Sequence, residues 1–328
     1  MKTVVNLLMI AFLFSFFGCK INSKNKETKT IKVTIIRSVS ADAFVELENG
    51  IKSQLTDSNI KINSFSAESE PSKFETVVKS ALLGKPDYLV ICGALLANIA
   101  YSPQYKTGLP VVISTAVDEP DVVDILVNEG IEPVRKSPLA IVAGMPRESA
   151  YEGLAVKVNQ IKPGIKKVGI LYSEGDISSK TTAEKSISAL EKQGISVERG
   201  LLTSPDDVMQ VVNALLVKKI EAIILPHDKF AMRFSVAIAN LCHARGIPTF
   251  SLDDMSVKTG GVAFSVAIEY HDLGVLTGQT LMEVINGKKA EEIPVRRIEK
   301  AKFFINQKAV ETLQLNLSEE LKSNAIIQ

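Results

Sequence analysis

The sequence predicts an α/β protein made of two Rossmann-like lobes, each a parallel sheet covered by helices, joined by a hinge of several strands. Three observations predict this class. Short β-rich apolar runs alternate with amphipathic helical segments along the chain. The runs are apolar at successive positions, as expected for strands that are buried on both faces. The series begins again near residue 150, which indicates a second lobe similar to the first.

The size and composition agree with two ordinary globular domains. The chain has 328 residues, and about 300 of them follow Ile31, which is enough for two domains of typical length. Its hydrophobic content is 46%, its charged content 23% and its formal net charge +1. A net charge this small gives no reason to expect a nucleic-acid partner. Three cysteines are too few for a disulfide framework.

The first lobe is predicted from alternating strands and helices. Its strands are Ile31–Ile36, Ile60–Phe65, Tyr88–Cys92 and Val111–Ser114, and its helices are Ala41–Leu55 and Ser72–Leu83. The segment Pro138–Pro146 is predicted as a strand that crosses to the second lobe, where the helix Glu148–Gln160 follows it.

The second lobe repeats the pattern. Its strands are Val168–Tyr172, Ser196–Leu201, Ala222–Leu225 and Thr249–Leu252, and its helices are Ser179–Gln193, Asp206–Val217 and Phe230–Arg245. After a strand at Val262–Ala267, the helix His271–Asn286 and the strand Val295–Phe304 are predicted to cross back. The lobes are therefore predicted as residues 31–145 with about 271–292, and residues 146–270 with about 293–328. Ligands of open α/β sheets bind beyond the carboxyl ends of the strands, so the function is expected in a cleft between the lobes.

The amino terminus has the pattern of an export signal. Lys2 precedes an apolar run from Val4 to Phe17, which is shorter than the roughly 20 residues that a membrane-spanning helix needs. Such a run is typical of a signal peptide. It ends at Ser15-Phe16-Phe17-Gly18-Cys19, which resembles a bacterial lipobox, where cleavage precedes the cysteine and the cysteine is lipidated.

We therefore predict a lipoprotein signal peptide over residues 1–19, lipidation of Cys19 and a flexible polar tether over residues 20–30. An ordinary secretory signal that happens to contain Cys19 is the alternative.

Motifs for catalysis and for metal binding are missing. The sequence contains no phosphate-binding G-x-x-x-x-G-K-[ST] loop, no G-x-S-x-G elbow and no His-Glu-x-x-His segment. Its three histidines are scattered, and no Cys/His group has zinc spacing. We therefore expect neither an enzyme nor a cofactor.

One enzymatic alternative depends on two cysteines. Amino-acid racemases of the aspartate/glutamate type place one cysteine from each of two α/β lobes across a cleft. Cys92 ends a predicted strand, whereas Cys242 lies within a predicted helix on an apolar stripe with Ile238 and Leu241. A buried helical cysteine is usually a small hydrophobic residue, which disfavours this alternative.

The candidate ligand contacts follow the predicted strands and offer polar side chains or, at Gly93 and Ala94, accessible backbone N–H groups. In the first lobe they are Ser38, Ser40, Gly93, Ala94 and Thr115, and in the second lobe Tyr172, Ser173, Ser178, His227, Asp228 and Asp253. Helix N-termini at these positions suit a ligand carboxylate. Asp228 or Asp253 could accept a charge-assisted hydrogen bond from a ligand ammonium. Ser and Asp after a strand are also common helix N-caps, so a purely structural role stays open for each.

Several segments together resemble a known family. They are Lys85–Gly93 (KPDYLVICG), Gly108–Val112 (GLPVV), Pro163–Tyr172 (PGIKKVGILY), Pro226–Asp228, Gly246–Phe250, Tyr270–Gly274, Gly287–Lys289, Ile293-Pro294 and Phe304–Asn306. In order and spacing they resemble ABC transporter substrate-binding proteins of the type I periplasmic-binding-protein fold, in the branch that includes tryptophan and tyrosine binders. The resemblance implies two lobes that close over a small solute, and importer subunits that recognise the closed form.

The resemblance carries over to particular turns with changes. The family's Tyr-Asn-Pro-Ser-Glu-x-Asn-Ser turn matches Tyr172–Ser179, with Ser173 and Ser178 at the asparagine positions. A Pro-x-Asp-Asn turn matches Pro226–Lys229 and keeps Asp228. The family's Gly-Gly-Asn is missing between residues 118 and 143. Because these changes fall at the expected ligand contacts, the resemblance implies the transport role more strongly than it implies the ligand.

We therefore predict an extracytoplasmic solute-binding lipoprotein of an ABC importer. The favoured solute is an amino acid, aromatic or branched, although sugars and nucleosides are bound by the same fold. The expected partners are the solute, ABC permease subunits and the membrane through the lipid anchor, with no nucleic acid, and one hinge-bending monomer suffices. A ligand-sensing lipoprotein that signals to a receptor without transport is the alternative. The effector domain of a transcription regulator shares the fold but needs an N-terminal helix-turn-helix, where this chain has an export signal.

Overall fold

The computed structural model describes residues 29–68, 70–102, 104–105, 109–117, 138–144 and 148–328. The predicted signal peptide, Cys19 and most of the tether lie outside the described residues, as does the stretch 118–137. In the part of the chain that is described, no helix has both the length and the apolar character needed to cross a bilayer.

The first sheet has six strands and parallel pairing throughout. The strands are β1 (Ile31–Arg37), β2 (Ile60–Ser66), β3 (Tyr88–Cys92), β4 (Val111–Val117), β5 (Leu139–Ala143) and β11 (Arg296–Arg297), in the order β11-β5-β4-β3-β1-β2. Their helices are α1 (Asp42–Gln54), α2 (Pro71–Leu83) and α3 (Ala94–Ala100).

The second sheet has seven strands, of which β10 and β12 pair antiparallel. The strands are β6 (Lys167–Tyr172), β7 (Ser196–Leu201), β8 (Ala222–Leu225), β9 (Thr249–Ser251), β10 (Phe264–Ala267), β12 (Lys302–Ile305) and β13 (Ala325–Ile327), in the order β13-β12-β10-β9-β8-β6-β7. The helices are α4 (Glu148–Ile161), α5 (Ile177–Lys192), α6 (Val208–Val217), α7 (Lys229–Arg233), α8 (Ser235–His243), α9 (Asp254–Lys258), α11 (Gln307–Thr312) and α12 (Glu319–Ser323), and a short 3₁₀ turn at Ala290–Glu292 precedes β11.

Each sheet carries a hydrophobic core on both faces. In β3, Leu89 and Ile91 belong to the core on one face and Val90 and Cys92 to the core on the other. The second sheet is likewise covered on both sides. Double coverage is the reason why central strands such as β3 and β8 are apolar at nearly every position, and it confirms the predicted α/β class with two lobes.

Helix α10 (Tyr270–Ile285) returns from the second sheet to pack on α1 of the first lobe. Two glycines allow the close approach. A Cβ at Gly274 would overlap the Leu47 carbonyl oxygen, and one at Gly50 would overlap the His271 carbonyl oxygen. Larger side chains at these positions would force the helices apart, so α10 is fixed firmly to the first lobe.

Two predicted elements are divided in the structure. The predicted helix Phe230–Arg245 is two helices, α7 and α8, because Phe234 between them has φ −101° and ψ 11°, outside helical geometry. The predicted strand Val295–Phe304 is also two elements. Arg296 pairs with Val142 in the first sheet, whereas β12 pairs with β10 in the second.

Residues 293–297 therefore lie with the first lobe, although the sequence pattern assigned them to the second. A period-two pattern indicates a strand but not the sheet it joins, because the two sheets have equally apolar environments. The other predicted lobe boundaries stay predictions.

Candidate ligand-binding site

Three chain crossings bring the carboxyl edges of the two sheets together. The chain runs from the carboxyl end of β5 in the first sheet to α4 on the second. It returns from the carboxyl end of β10 to α10, which packs on α1, and crosses again from the end of β11 to β12. Because every crossing leaves from the end of a strand, both edges border the hinge. The predicted contact residues follow strands that end at these edges.

Both carboxylate oxygens of Asp228, which follows β8, are fully hydrogen-bonded to other groups of the protein. Asp228 is fully buried, and its Oδ1 accepts hydrogen bonds from the backbone N–H groups of Phe230 (2.9 Å) and Ala231 (2.8 Å). Its Oδ2 accepts from the Ser173 N–H (2.9 Å) and from the Ser179 hydroxyl (2.8 Å). A carboxylate has about four acceptor sites, so Asp228 has none left for a ligand ammonium. The structure argues against that predicted contact and makes Asp228 a clamp between the β6 and β8 turns.

The β6 turn is held in place by this clamp. Asp176 caps α5 by accepting a hydrogen bond from the Ser179 N–H (3.1 Å). Ser173 is buried, and its own hydroxyl has no protein partner. Ser178 lies half-buried in the first turn of α5. The turn therefore offers the Ser173 hydroxyl beside the N-terminus of the 16-residue helix α5. The N–H groups at a helix N-terminus favour a negatively charged ligand group.

Tyr172 lies in the core of the second lobe. Its ring is buried among the hydrophobic residues of that core, and its hydroxyl accepts a hydrogen bond from Arg199 (2.9 Å), which also pairs with Glu184. These contacts occupy the hydroxyl and argue against its predicted role as a ligand contact.

Thr115 has a comparable role in the first lobe. Its side chain is fully buried, and its Oγ1 lies 2.8 Å from the Oγ1 of Thr277 on α10. Thr277 in turn donates to the Leu273 carbonyl. The Thr115 hydroxyl therefore joins β4 to α10, and this contact argues against a role in ligand binding. On the opposite face of β4, the buried Ser114 hydroxyl has no protein partner.

The turns after β1 and β3 approach each other closely. Gly93 has φ 107°, and a Cβ there would overlap the Ser38 hydroxyl, so only glycine fits. Ser38 is buried, while Ala94 is the half-buried first residue of the seven-residue helix α3. Ser40 is exposed and its hydroxyl lies 2.8 Å from that of Ser66.

Glu68, which sequence reasoning missed, lies beside this serine pair. Hydrogen bonds from Ser40 and Ser66 lower the pKa of its carboxyl below the ordinary value. Its φ of 53° places a non-glycine residue in the left-handed region. Such backbone strain is found often at functional sites, but no sequence pattern here signals it.

The turn after β9 differs from the turn after β8. Asp253 caps α9 through Oδ2, which accepts from the N–H (2.8 Å) and the hydroxyl (2.7 Å) of Ser256. Its Oδ1 is buried and has no protein partner. One residue on, Asp254 pairs through Oδ2 with Lys258 Nζ at 2.7 Å, and its Oδ1 is also unpartnered.

Asp254 was not among the predicted contacts. Burial, opposed by the hydrogen bond from Lys258, raises its pKa from 3.8 to about 6. Its two neighbouring carboxylates, Asp253 and Glu269, add to the rise. The Asp-Asp pair therefore forms a buried negative region at the edge of the second sheet, with two free acceptor oxygens.

His227 lies in the turn after β8, directly before Asp228. It is half-buried, and its Nδ1 is shielded from solvent without a protein partner. Buried polar atoms are nearly always hydrogen-bonded in folded proteins. Unpartnered atoms on Ser173, His227 and Asp253 lie at the ends of the neighbouring strands β6, β8 and β9.

Neither cysteine is suited to acid–base chemistry. Cys92 and Cys242 are both wholly buried. Burial raises the pKa of the Cys242 thiol to about 12 and that of Cys92 further still. The burial of both thiols argues against the racemase alternative. Within the described ranges, no group of three or more His, Cys, Asp or Glu side chains is arranged to hold a metal ion.

Comparison with known proteins agrees with this geometry. Two α/β lobes joined by three crossings, with polar turns at the facing edges, define the type I periplasmic-binding-protein fold. A family model described as ABC transporter substrate binding protein matches residues 32–327. The chain belongs to this family.

Relatives of known structure or name extend over nearly the whole chain. The tyrosine-binding protein of Clostridioides difficile (strain R20291) is 24% identical over 308 residues, which cover 91% of this chain and 86% of that protein. An ABC domain from Streptococcus pneumoniae in complex with L-Trp has a TM-score of 0.76 at 23% identity, covering 91% of this chain and 99% of that chain. A ligand-free, open substrate-binding protein from Clostridium difficile has a TM-score of 0.70 at 19% identity, with the same coverage.

Proposed function

We propose that this protein is an extracytoplasmic solute-binding lipoprotein of an ABC importer, and that it captures an amino acid, preferably aromatic, between its two lobes. Membership of the substrate-binding family supports the importer role. The names of two relatives, one a tyrosine binder and the other a complex with L-Trp, support the choice of solute.

The observation that carries the proposal is the presence of one hydrogen-bond donor and one anionic acceptor, both without protein partners, at the edge of the second sheet. Ser173 presents a hydroxyl that can donate a hydrogen bond, and Asp253 presents a free carboxylate oxygen that can only accept. An amino acid carries both complements, a carboxylate that accepts and an ammonium that donates. A sugar hydroxyl can also donate to a carboxylate, but only an ammonium balances its buried negative charge, so Asp253 favours a cationic group.

Binding works through the hinge in this proposal. A solute that contacts both lobes interacts with more groups in the closed arrangement than in the open one, and this difference shifts the population toward closure. The closed form is then the one that permease subunits recognise. Lipidation of Cys19 would hold the protein at the membrane surface, which a tether of about ten residues allows.

A melting screen on unfolded and refolded protein, freed of carried-over ligand, tests the proposal. L-tyrosine and L-tryptophan at one hundred times their Kd should each stabilise the fold by about 2.7 kcal/mol. D-tryptophan, glucose and adenosine are the matched controls.

The outcomes separate the parts of the proposal. Stabilisation by glucose or adenosine alone would support a receptor function but contradict an amino acid as its solute. No stabilisation by any solute class would contradict the receptor itself. Mass spectrometry of the exported protein checks the anchor, since Cys19→Ala should abolish a diacylglycerol mass increment.

A further inference from the structure

Two of the hinge crossings are adjacent and carry opposite charges. The crossing after β10 contains Glu269, and the crossing after β11 ends at Lys302, the first residue of β12. Because β10 and β12 pair antiparallel, with Ala267 opposite Lys302, the two crossings leave the second sheet side by side. Lys302 Nζ pairs with Glu269 and also with Asp272 Oδ2, at 2.6 Å.

Asp272 moves with the first lobe, because its helix packs on that lobe. It lies in the first turn of α10, which is locked onto α1 through Gly274. Lys302 belongs to the second sheet. The Lys302–Asp272 pair therefore joins groups on opposite sides of the hinge, and a rotation of the lobes changes its length.

The same charges continue toward the candidate site. Glu269 Oε1 lies 3.1 Å from Lys258 Nζ, and Lys258 also pairs with Asp254 at 2.7 Å. The Lys258 ammonium lies 5.4 Å from the centre of the Phe304 ring, which limits its freedom. Alternating charges thus run without a break from Asp254 at the edge of the cleft to Asp272 on the first lobe.

This chain of ion pairs is buried at Asp254, partly buried at Glu269 and exposed at its Lys302 end. Glu269 is half-buried, and although burial opposes its ionisation, hydrogen bonds from Lys302 and Lys258 outweigh that effect and lower its pKa. Lys302 itself remains partly exposed, so its pairs can break and re-form as the lobes move.

We propose that Lys302, held between Glu269 and Asp272, is an ion-pair latch across the hinge, and that Lys258 couples this latch to Asp254 at the cleft. The latch stabilises the lobe angle described here. The coupling to solute rests on the proposed receptor function, whereas the latch itself acts in ligand-free protein.

The test measures the lobe separation without ligand. Leu83 on the first lobe and Val217 on the second are 82% and 81% exposed, and the two described native cysteines are buried. Spin labels at Leu83→Cys and Val217→Cys in the full chain, made with Cys19→Ala so that only these two thiols are labelled, give the distance distribution between the lobes. Lys302→Met should reduce the population at the described separation roughly five-fold, the effect of losing one partly exposed ion-pair group.

Controls separate the latch from a general loss of charge. Lys302→Arg keeps the charge and should restore the parent distribution. Lys322→Met removes a comparable lysine from the exposed Lys322–Glu319 pair on α12 and should leave the distribution unchanged. Asp272→Asn, which breaks the latch from the other lobe, should reproduce the Lys302→Met shift. An unchanged distribution in both Lys302→Met and Asp272→Asn would overturn the latch.

The coupling through Lys258 has its own measurement. The shifts caused by Asp254→Asn and Lys302→Met should be non-additive in the parent and additive when Lys258 is replaced by Met. If the two shifts are additive in the parent, the coupling between Asp254 and Lys302 is wrong, but the ion-pair latch at Lys302 is unaffected. Addition of L-tryptophan to the same labelled proteins tests the receptor separately, since latch variants should alter the ligand-free distribution whether or not this amino acid binds.

Discussion

The turns after β8 and β9 look equivalent in sequence and behave differently in the structure. Each places an aspartate two or three residues after a buried strand, where it caps a short helix. Asp228 accepts four hydrogen bonds and has no free oxygen. Asp253 uses one oxygen for its cap and leaves the other buried and unpartnered. The comparison teaches that an aspartate at a strand end becomes a structural clamp or keeps a free oxygen according to how many donors the neighbouring turns supply.

The largest expected effect tests the clamp. Asp228→Ala should lower the free energy of unfolding by about 4 kcal/mol, because four hydrogen-bond donors, two of which are the capped N–H groups of α7, lose this carboxylate as an acceptor. Urea denaturation measures the loss. Asp176→Ala, which removes a half-exposed cap with a single accepted hydrogen bond, is the matched control and should cost only about 1 kcal/mol. Equal losses in the two variants would contradict the clamp.

A pH effect at Asp254 distinguishes the β9 turn from the β8 turn. The folded-state pKa of Asp254 is about 6, above its ordinary 3.8. Its contribution to stability is therefore fully present below pH 3.8 and is lost as the pH rises through about 6. Asp254→Asn removes that loss and should stabilise the ligand-free protein at pH 8 by about 2 kcal/mol, with no difference at pH 3.5.

Melting curves across this pH range provide the measurement. The groups that face Asp254 are Asp253, Lys258 and Glu269, so Asp253→Asn measured beside it shows how much of the effect comes from the neighbouring carboxylate. A difference between Asp254→Asn and the parent that does not depend on pH would argue against a buried titrating carboxyl.

The smallest expected effect concerns the solute. Asp253→Asn should weaken amino-acid binding about ten-fold, or about 1.4 kcal/mol, because an amide keeps the helix cap but presents a donor to the ligand ammonium. Calorimetric titration with L-tryptophan measures the affinity, and urea denaturation should show little change in stability. Unchanged affinity would remove Asp253 from the site and leave the comparison between the two turns without a functional meaning.

Much of the fold was predictable from the sequence because the patterns that carry it are local. The strands at Tyr88–Cys92 and Ala222–Leu225 have their predicted bounds in the structure, since doubly buried strands are apolar at successive positions. The edge strand Ser196–Leu201 also has its predicted bounds, although most of its side chains are exposed or half-buried. The break at Phe234 was not predictable, because the apolar periodicity continues through it.

The candidate site was predictable only as a set of positions. The sequence alone placed small polar residues at the strand ends, and it could not distinguish Thr115, whose hydroxyl is used in the core, from Ser173, whose hydroxyl is free. Both follow the same local pattern of a hydroxyl after an apolar run.

The sequence by itself determined the fold class, the family and the strand ends that carry the candidate site, because burial and turn chemistry act over a few residues. Only the tertiary structure decided which polar groups are occupied. The partners of Asp228 come from 55 and 49 residues away, and those of Lys302 from 33 and 30 residues away. Hydrogen-bond saturation and ion pairing across the hinge depend on which distant segments meet, and that is fixed only when the two sheets and their crossings have packed.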